Sequence, residues 1–111
     1  MKVSELRIGN WVVPPETPFE PVPINLKGLE YYGDDLIPIK LTEEWLLRFG
    51  FEKSKLNYWM LPNKSFFLGI TLNNFIYPMF DTDNWIPIKL EYVHQLQNLY
   101  FVFTGEELTI K

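Results

Sequence analysis

The sequence has 111 residues, of which 47% are hydrophobic and 17% aromatic, which predicts a single domain, 1–111, able to bury a core. It contains no cysteine, which excludes disulfides and thiolate metal sites, and its formal charge of −4 comes without the basic stripe that binds long nucleic acid. The N-terminus lacks a signal-peptide pattern and no stretch approaches the roughly 20 apolar residues of a membrane span, so we expect a cytoplasmic protein without a membrane partner.

The N-terminal third is predicted to hold one strand and a long loop. The run from Ile8 to Val13 is rich in β-branched residues, and glycine and asparagine at positions 9 and 10 indicate a bulge or turn. Pro14–Asp35 then holds five of the nine prolines, and proline neither donates to a sheet ladder nor continues a helix. We predict a proline-rich extended loop over 14–35 with one edge strand near Val22–Leu26, either functional or a lid over the core.

A short helix is predicted next, within the sequence LTEEWLLRFGFE. Thr42 is a suitable N-cap, the two glutamates after it favour the positive end of the helix, and Gly50 is placed to end it. We expect its buried face to contain Leu46 and Phe49 together with either Trp45 or Leu47.

The middle of the chain is predicted to be an antiparallel meander. Its three segments are FEKSKLNYWML, SFFLGITLNN and FIYPMF, and turn signals at Pro62-Asn63 and Asn73-Asn74 separate them. A second helix from Glu91 to Phe103 follows and Gly105 ends it, after which ELTI is predicted as a last edge strand.

Together these elements predict an α+β fold, with a mainly antiparallel sheet of five or six strands and two helices packed on one face. The predicted core is apolar and drawn from both helices and the middle strands: Trp45, Leu46, Phe49, Phe67, Ile70, Leu96, Leu99, Tyr100 and Phe103.

An internal echo leaves a duplication open. IPIKL occurs at 37–41 and again at 86–90, each time ahead of a predicted helix that ends at a glycine. NWVVP and YWMLP precede the two copies at similar distances. Two related β-β-α halves would explain the echo, and coincidence among common residues is the alternative.

The second helix has a polar face that predicts a specific contact. Residues 93, 96, 99, 100 and 103 form its core-facing stripe. The opposite face is rich in amides and carries an outward phenylalanine; its members are His94, Gln95, Gln97, Asn98 and Phe101. A merely solvated face more often carries lysine and glutamate, so we predict a binding role. The alternative is that Phe101 tucks under the proline-rich loop.

No constellation for catalysis or metal binding is apparent. His94 is the only histidine, Glu91 could orient its ring, and no serine, cysteine or second histidine accompanies it. The sequence DTDN at 81–84 lacks the glycine and the bidentate glutamate of a calcium loop, and no phosphate-binding glycine pattern occurs. We therefore predict no catalytic residue, no metal site and no cofactor.

The aromatic surplus allows two further expectations. Trp11, Tyr58, Trp59 or Trp85 could stack a base, and Arg7 and Arg48, the only arginines, could bind phosphates, which together predict a nucleotide-binding alternative. Aromatic rings at the surface could instead pair two copies of the chain, so a homo-oligomer is a further expectation.

Three stretches resemble a family of proteins. ELRIGNWV, LTEEWLLRFGFE and YVHQLQNLYFVFTGEEL are similar to motifs of small uncharacterised proteins encoded by phages, prophages and mobile elements of Bacteroides-like bacteria. The resemblance covers about a third of the chain, and it transfers no catalytic residue because the family has no assigned activity.

The resemblance implies an accessory protein of a phage or mobile element in the cytoplasm of a bacterial host cell. Such proteins often bind and block host-defence components or their nucleotide signals. We therefore expect a non-enzymatic binding protein whose partner is a host or phage protein, with sequestration of a small nucleotide ligand as the alternative. A virion or structural subunit and a small enzyme using His94 are the lesser alternatives.

Overall fold

The computed structural model describes residues 2–55, 58–61, 66–71, 75–79 and 86–110. The chain divides into two compact units: the first combines Met1–Lys40 with Tyr92–Glu106, and the second combines Leu41–Glu91 with Glu107–Lys111. The described strands are antiparallel and are accompanied by helices, which confirms the α+β class. The prediction of one sheet with two helices on one face is wrong, because the described strands form separate sheets of three and four and the described helices number three.

The first unit contains a small sheet. Its three strands are β1 (Trp11–Val13), β2 (Val22–Pro23) and β3 (Ile37–Pro38). Strand β1 is central, since Val12 pairs with Val22 on one side and with Pro38 on the other. The predicted strand began at Ile8, but the chain turns at Ile8 and Gly9, where glycine adopts φ of 96°, so β1 starts only at Trp11.

Helix α1 (Leu26–Tyr32) lies where the proline-rich loop was predicted. The predicted edge strand is confirmed as β2, but the extended loop is wrong for the stretch that follows, because the last proline of the segment is Pro23. Asn25 then caps the helix, its side-chain oxygen accepting a hydrogen bond of 2.8 Å from the Gly28 amide. A 3-10 turn, Gly33–Asp35, leads on to β3.

The first unit also contains the C-terminal helix, α3 (Val93–Thr104). It begins two residues later than predicted and ends at Gly105 as predicted, where glycine takes the left-handed conformation with φ of 72°. Buried Val12, Ile24 and Leu36 form a core cluster in this unit, with Leu6, Leu29 and Tyr32 packed against it.

A four-stranded meander dominates the second unit. Its strands are consecutive antiparallel neighbours, which confirms the predicted meander: β4 (Glu52–Lys53), β5 (Tyr58–Met60), β6 (Phe67–Ile70) and β7 (Ile76–Met79). The turn signals at 62–63 and 73–74 lie outside the described residues. The predicted strand at 107–110 does not form, although Leu108 is buried.

Helix α2 (Glu43–Arg48) belongs to the second unit and starts after Thr42, as predicted. Gly50 follows the helix with φ of 91°, which confirms the predicted stop. Of the two alternatives for its buried face, Trp45 is 6% exposed and Leu47 is 61% exposed, so tryptophan faces the core.

The predicted core is only partly correct. The side chains of Trp45, Leu46, Phe49, Leu96 and Tyr100 are buried. Phe67, Ile70 and Leu99 are half-buried, and in β6 the fully buried side chain is that of Leu68. Phe103 is 48% exposed, so its assignment to the core is wrong: the buried stripe of α3 turns away before its last turn.

The two copies of IPIKL differ in structure. The first contains β3 and a bridge from Lys40 to Tyr92, whereas the second forms a bridge from Leu90 to Ile76 and no strand. The helix after the first copy belongs to the second unit, and the helix after the second copy belongs to the first unit. Common ancestry of two halves stays a prediction.

Candidate functional site

The amide-rich face of α3 lies against the chain's own N-terminal segment. His94, Gln97, Asn98 and Phe101 share one side of the helix because they follow the spacing i, i+3, i+4 and i+7. All four contact residues 5–11, which we call the N-terminal strap. The face predicted to bind a partner is therefore occupied within the first unit.

Gln97 joins the strap through both ends of its amide. Its Oε1 accepts a hydrogen bond of 2.8 Å from the Trp11 backbone amide, and its Nε2 donates one of 3.2 Å to the Gly9 carbonyl. The side chain is only 2% exposed. A buried amide needs such partners, so Gln97 fixes where the strap enters β1.

Asn98 is the centre of a second group of polar contacts. Its Oδ1 accepts hydrogen bonds of 2.9 Å from Arg7 Nη1 and of 2.9 Å from Asn10 Nδ2, while its Nδ2 donates one of 2.9 Å to the Glu5 carbonyl. Asn10 is itself buried, and its Oδ1 accepts a hydrogen bond of 2.6 Å from the Arg7 backbone amide. The Arg7 guanidinium lies 4.1 Å from the centre of the Phe101 ring, an attractive cation–π distance.

His94 is 1% exposed, and neither ring nitrogen has a hydrogen-bond partner among the described residues. Its ring stacks on Tyr92 at 5.8 Å, and its Nε2 lies 4.0 Å from Glu5 Oε1. Burial lowers the pKa of His94, and the Glu5 carboxylate opposes this by a smaller amount. Glu91, considered from the sequence as the orienting carboxylate, lies 3.7 Å from Lys89 instead.

The other predicted binding residues are distributed over both units. In the first, Gln95 accepts a hydrogen bond of 3.0 Å from the Tyr92 backbone amide at the start of α3, while Trp11 is half-buried in β1. In the second unit, Tyr58 packs edge-on against Phe67 at 5.8 Å.

Arg48 and Trp59 also belong to the second unit. Arg48 lies 3.6 Å from Glu44 and 4.9 Å from the Trp45 ring centre, so its charge already has an anion and an aromatic face. Trp59 is 3% exposed, and its Nε1 has no hydrogen-bond partner among the described residues. Trp85 lies outside the described residues.

The described part of the chain offers neither a cluster of metal ligands nor a membrane-spanning helix. It contains no group of three or more histidine, aspartate or glutamate residues placed to hold a metal ion. The DTDN sequence at 81–84 lies outside it. None of the described helices combines the length and apolarity that a bilayer crossing requires.

Sequence reasoning missed a surface on α1. A depression of about 600 Å³ opens there, lined by Lys27, Gly28, Glu30, Tyr31 and Tyr32. No residue of α1 is fully buried; Tyr31 is 74% exposed and Leu26 is 58% exposed. Asparagine at position 25 and glycine at position 33 were the helix signals, and the nearby prolines outweighed them in the prediction.

The proline-rich segment contacts the same helix. Tyr32 donates a hydrogen bond of 3.3 Å from its hydroxyl to Glu16 Oε2. Desolvation raises the pKa of Tyr32, and the Glu16 carboxylate raises it further. Phe19, on that segment, is 93% exposed, which is the largest exposure among the apolar side chains described.

In comparisons with known proteins, no family model matches the sequence, and neither a curated protein nor a solved structure matches it significantly.

Proposed function

We propose that this chain is a non-enzymatic binding protein of a phage or mobile element, that it blocks a host protein such as a defence component, and that α1 carries the contact. The contact surface, called the α1 surface, consists of Leu26, Lys27, Gly28, Glu30 and Tyr31. The host context rests on the resemblance of the sequence motifs.

The observation that carries this proposal is the exposure of α1. A helix of seven residues is marginal in water and normally depends on packing of an apolar face. Here Leu29 and Tyr32 pack on the core cluster, while Leu26 and Tyr31 stay largely in solvent. Leu26 and Tyr31 are five positions apart, so they lie about 140° apart around the helix axis, and an element that leaves both side chains in solvent is suited to a protein contact.

The chemistry of the α1 surface suits a protein partner. Tyrosine offers a large ring with few rotatable bonds and a hydroxyl at its edge, and it is enriched at interfaces. Lys27 and Glu30 add one charge of each sign, so the surface selects by shape and pairing rather than by bulk charge. Gly28 lies against the Ile24 side chain, which leaves no room for a Cβ at this position.

The experiment places a photo-crosslinking amino acid at Tyr31 and, as a control of equal exposure, at Val102; these side chains are 74% and 73% exposed. Both proteins are irradiated in lysate of a Bacteroides-like host. We expect one protein to be crosslinked from position 31 and not from position 102. Equal crosslinking from both positions, or none from position 31, would contradict the proposal.

Paired alanine variants then test the energetics on the partner that is crosslinked. Leu26→Ala with Tyr31→Ala removes the two apolar contacts of the α1 surface. Leu47→Ala with Val102→Ala removes side chains of matched exposure elsewhere. We expect the first pair to weaken binding by about 100-fold, which corresponds to about 2.7 kcal/mol, and the second pair to leave it unchanged.

Nucleotide sequestration remains the alternative proposal, and no specific contact favours it over the α1 surface. Arg7 and Arg48, the predicted phosphate ligands, each lie against an aromatic ring and a polar side chain. A panel of nucleotides in a thermal-shift assay tests it. This alternative would be favoured if one nucleotide raises the melting temperature of the protein and does not raise that of Arg7→Gln, each protein being compared with its own nucleotide-free sample.

A further inference from the structure

We propose that acid releases the N-terminal strap from α3, and that His94 is the residue whose protonation drives the release. This inference is independent of the α1 surface. It rests on two features of the first unit: the burial of the imidazole and the position of one carboxylate.

The closed arrangement suits only the neutral imidazole. The His94 side chain is 1% exposed, and neither ring nitrogen has a hydrogen-bond partner among the described residues. An imidazolium carries two N–H donors, and both would be left without an acceptor. Burying an unpaired charge costs far more than burying a neutral ring, so proton uptake opposes closure.

One carboxylate faces the ring, and it is too distant to compensate. Glu5 Oε1 lies 4.0 Å from Nε2, outside hydrogen-bond distance, and the glutamate side chain is 47% exposed. On the helix side the ring faces the Tyr92 phenol ring, to which it is nearly parallel at an interplanar angle of 9°. The N-terminal amine adds a positive charge that disfavours the imidazolium.

The pKa of His94 is accordingly lowered, with burial as the largest cause. In the open state the ring meets water and regains its ordinary pKa of about 6.5. The open state therefore binds more protons than the closed state below that pH, and the equilibrium shifts toward it as pH falls. Since one proton is involved, the open-to-closed ratio rises by at most about tenfold per pH unit, until the pKa of the closed state is reached.

The strap is held to α3 through side chains, and its residues 9 and 10 are also joined to Ile24 by two backbone hydrogen bonds of 2.8 Å. Gln97, Asn98 and Phe101 supply its polar and aromatic contacts to α3, and Glu5 itself is exposed. Release of the part of the strap before Gly9 exposes His94, Asn98 and Phe101, whereas Gln97 stays bonded to Gly9 and Trp11. Part of the face predicted from sequence to bind a partner would thus become available in acid.

The experiment uses the full chain, in which the single histidine gives one unambiguous imidazole Cε1–Hε1 resonance. Its chemical shift and the amide exchange of residues 5–11 are followed together from pH 7.5 to 5.5. Exchange rates are corrected for the intrinsic effect of pH. We expect a histidine pKa below 6.5 and strap protection that falls in the same range, while protection of β6 is unchanged.

Two variants separate this mechanism from general acid sensitivity. Glu5→Gln removes the carboxylate that favours the imidazolium, so the histidine pKa falls further and the strap opens more at the same acid pH. His94→Gln keeps a neutral side chain at every pH, so strap protection becomes independent of pH over this range. The proposal would be overturned by a histidine pKa at or above 6.5, or by strap protection that does not change as the histidine titrates. Both results are obtained on the unmodified chain, so they hold even if His94→Gln fails to fold.

Discussion

Replacing Gln97 by methionine removes two hydrogen bonds and leaves the volume of the side chain nearly unchanged. The lost bonds join Oε1 to the Trp11 amide at 2.8 Å and Nε2 to the Gly9 carbonyl at 3.2 Å. Since methionine fills the same space, the cavity that dominates most core substitutions contributes little here. Gln97→Met therefore measures the polar attachment of the strap to α3.

The magnitude follows from the environment of the two bonds. A typical intramolecular hydrogen bond contributes about 0.5–1.5 kcal/mol net, which makes about 1–3 kcal/mol for the pair. The Gly9 carbonyl also loses a partner at a half-buried position, and we add about 1 kcal/mol for it. We expect Gln97→Met to lower the free energy of unfolding by about 2–4 kcal/mol, or the melting temperature by roughly 8–16 °C.

Chemical denaturation monitored by circular dichroism measures the loss, and amide exchange locates it. We expect the Trp11 amide to exchange faster in the variant, because its acceptor is gone. Val102→Met introduces the same residue on the same helix at a position that is 73% exposed, and it should change stability by less than about 0.5 kcal/mol. If Gln97→Met matches that control, the strap is not held by the amide and the reasoning is refuted.

Three further substitutions test other parts of the structure. Leu46→Ala, at a residue with no exposed area, should lower the free energy of unfolding by about 2–5 kcal/mol in denaturation, whereas Leu47→Ala beside it should lower it little. Equal losses would show that the buried face of α2 is assigned wrongly. Asn25→Ala should lose about 0.5–2 kcal/mol and reduce helical circular dichroism, and Asn25→Asp should restore both; no recovery with aspartate would exclude the N-cap. Phe101→Ala removes the ring under the Arg7 guanidinium and should cost about 0.5–1 kcal/mol in denaturation, a loss that Arg7→Gln should abolish in a double-mutant cycle.

Local signals in the sequence determined the helix ends and the meander. Gly50 and Gly105 act within a few residues of themselves, because left-handed glycine is a property of the local backbone; Thr42 takes the N-cap position of α2 without a side-chain hydrogen bond. Turn residues between β-rich segments likewise predicted that neighbouring strands pair in order. The division of the strands into two sheets had no such signal, because pairing of β1 with β3 depends on contacts between distant segments.

Only the tertiary structure determined what each surface of the chain contacts. Spacing on α3 placed His94, Gln95, Gln97, Asn98 and Phe101 on one face, since helical periodicity is visible in the sequence; all of them except Gln95, which bonds the Tyr92 amide, contact the strap. It could not reveal that this face meets the N-terminal strap, because a polar side chain has the same sequence signature whether water, a partner or its own chain satisfies it. The burial of His94 and the exposure of α1 are likewise visible only in the tertiary structure, and each carries one of the proposals made for this protein.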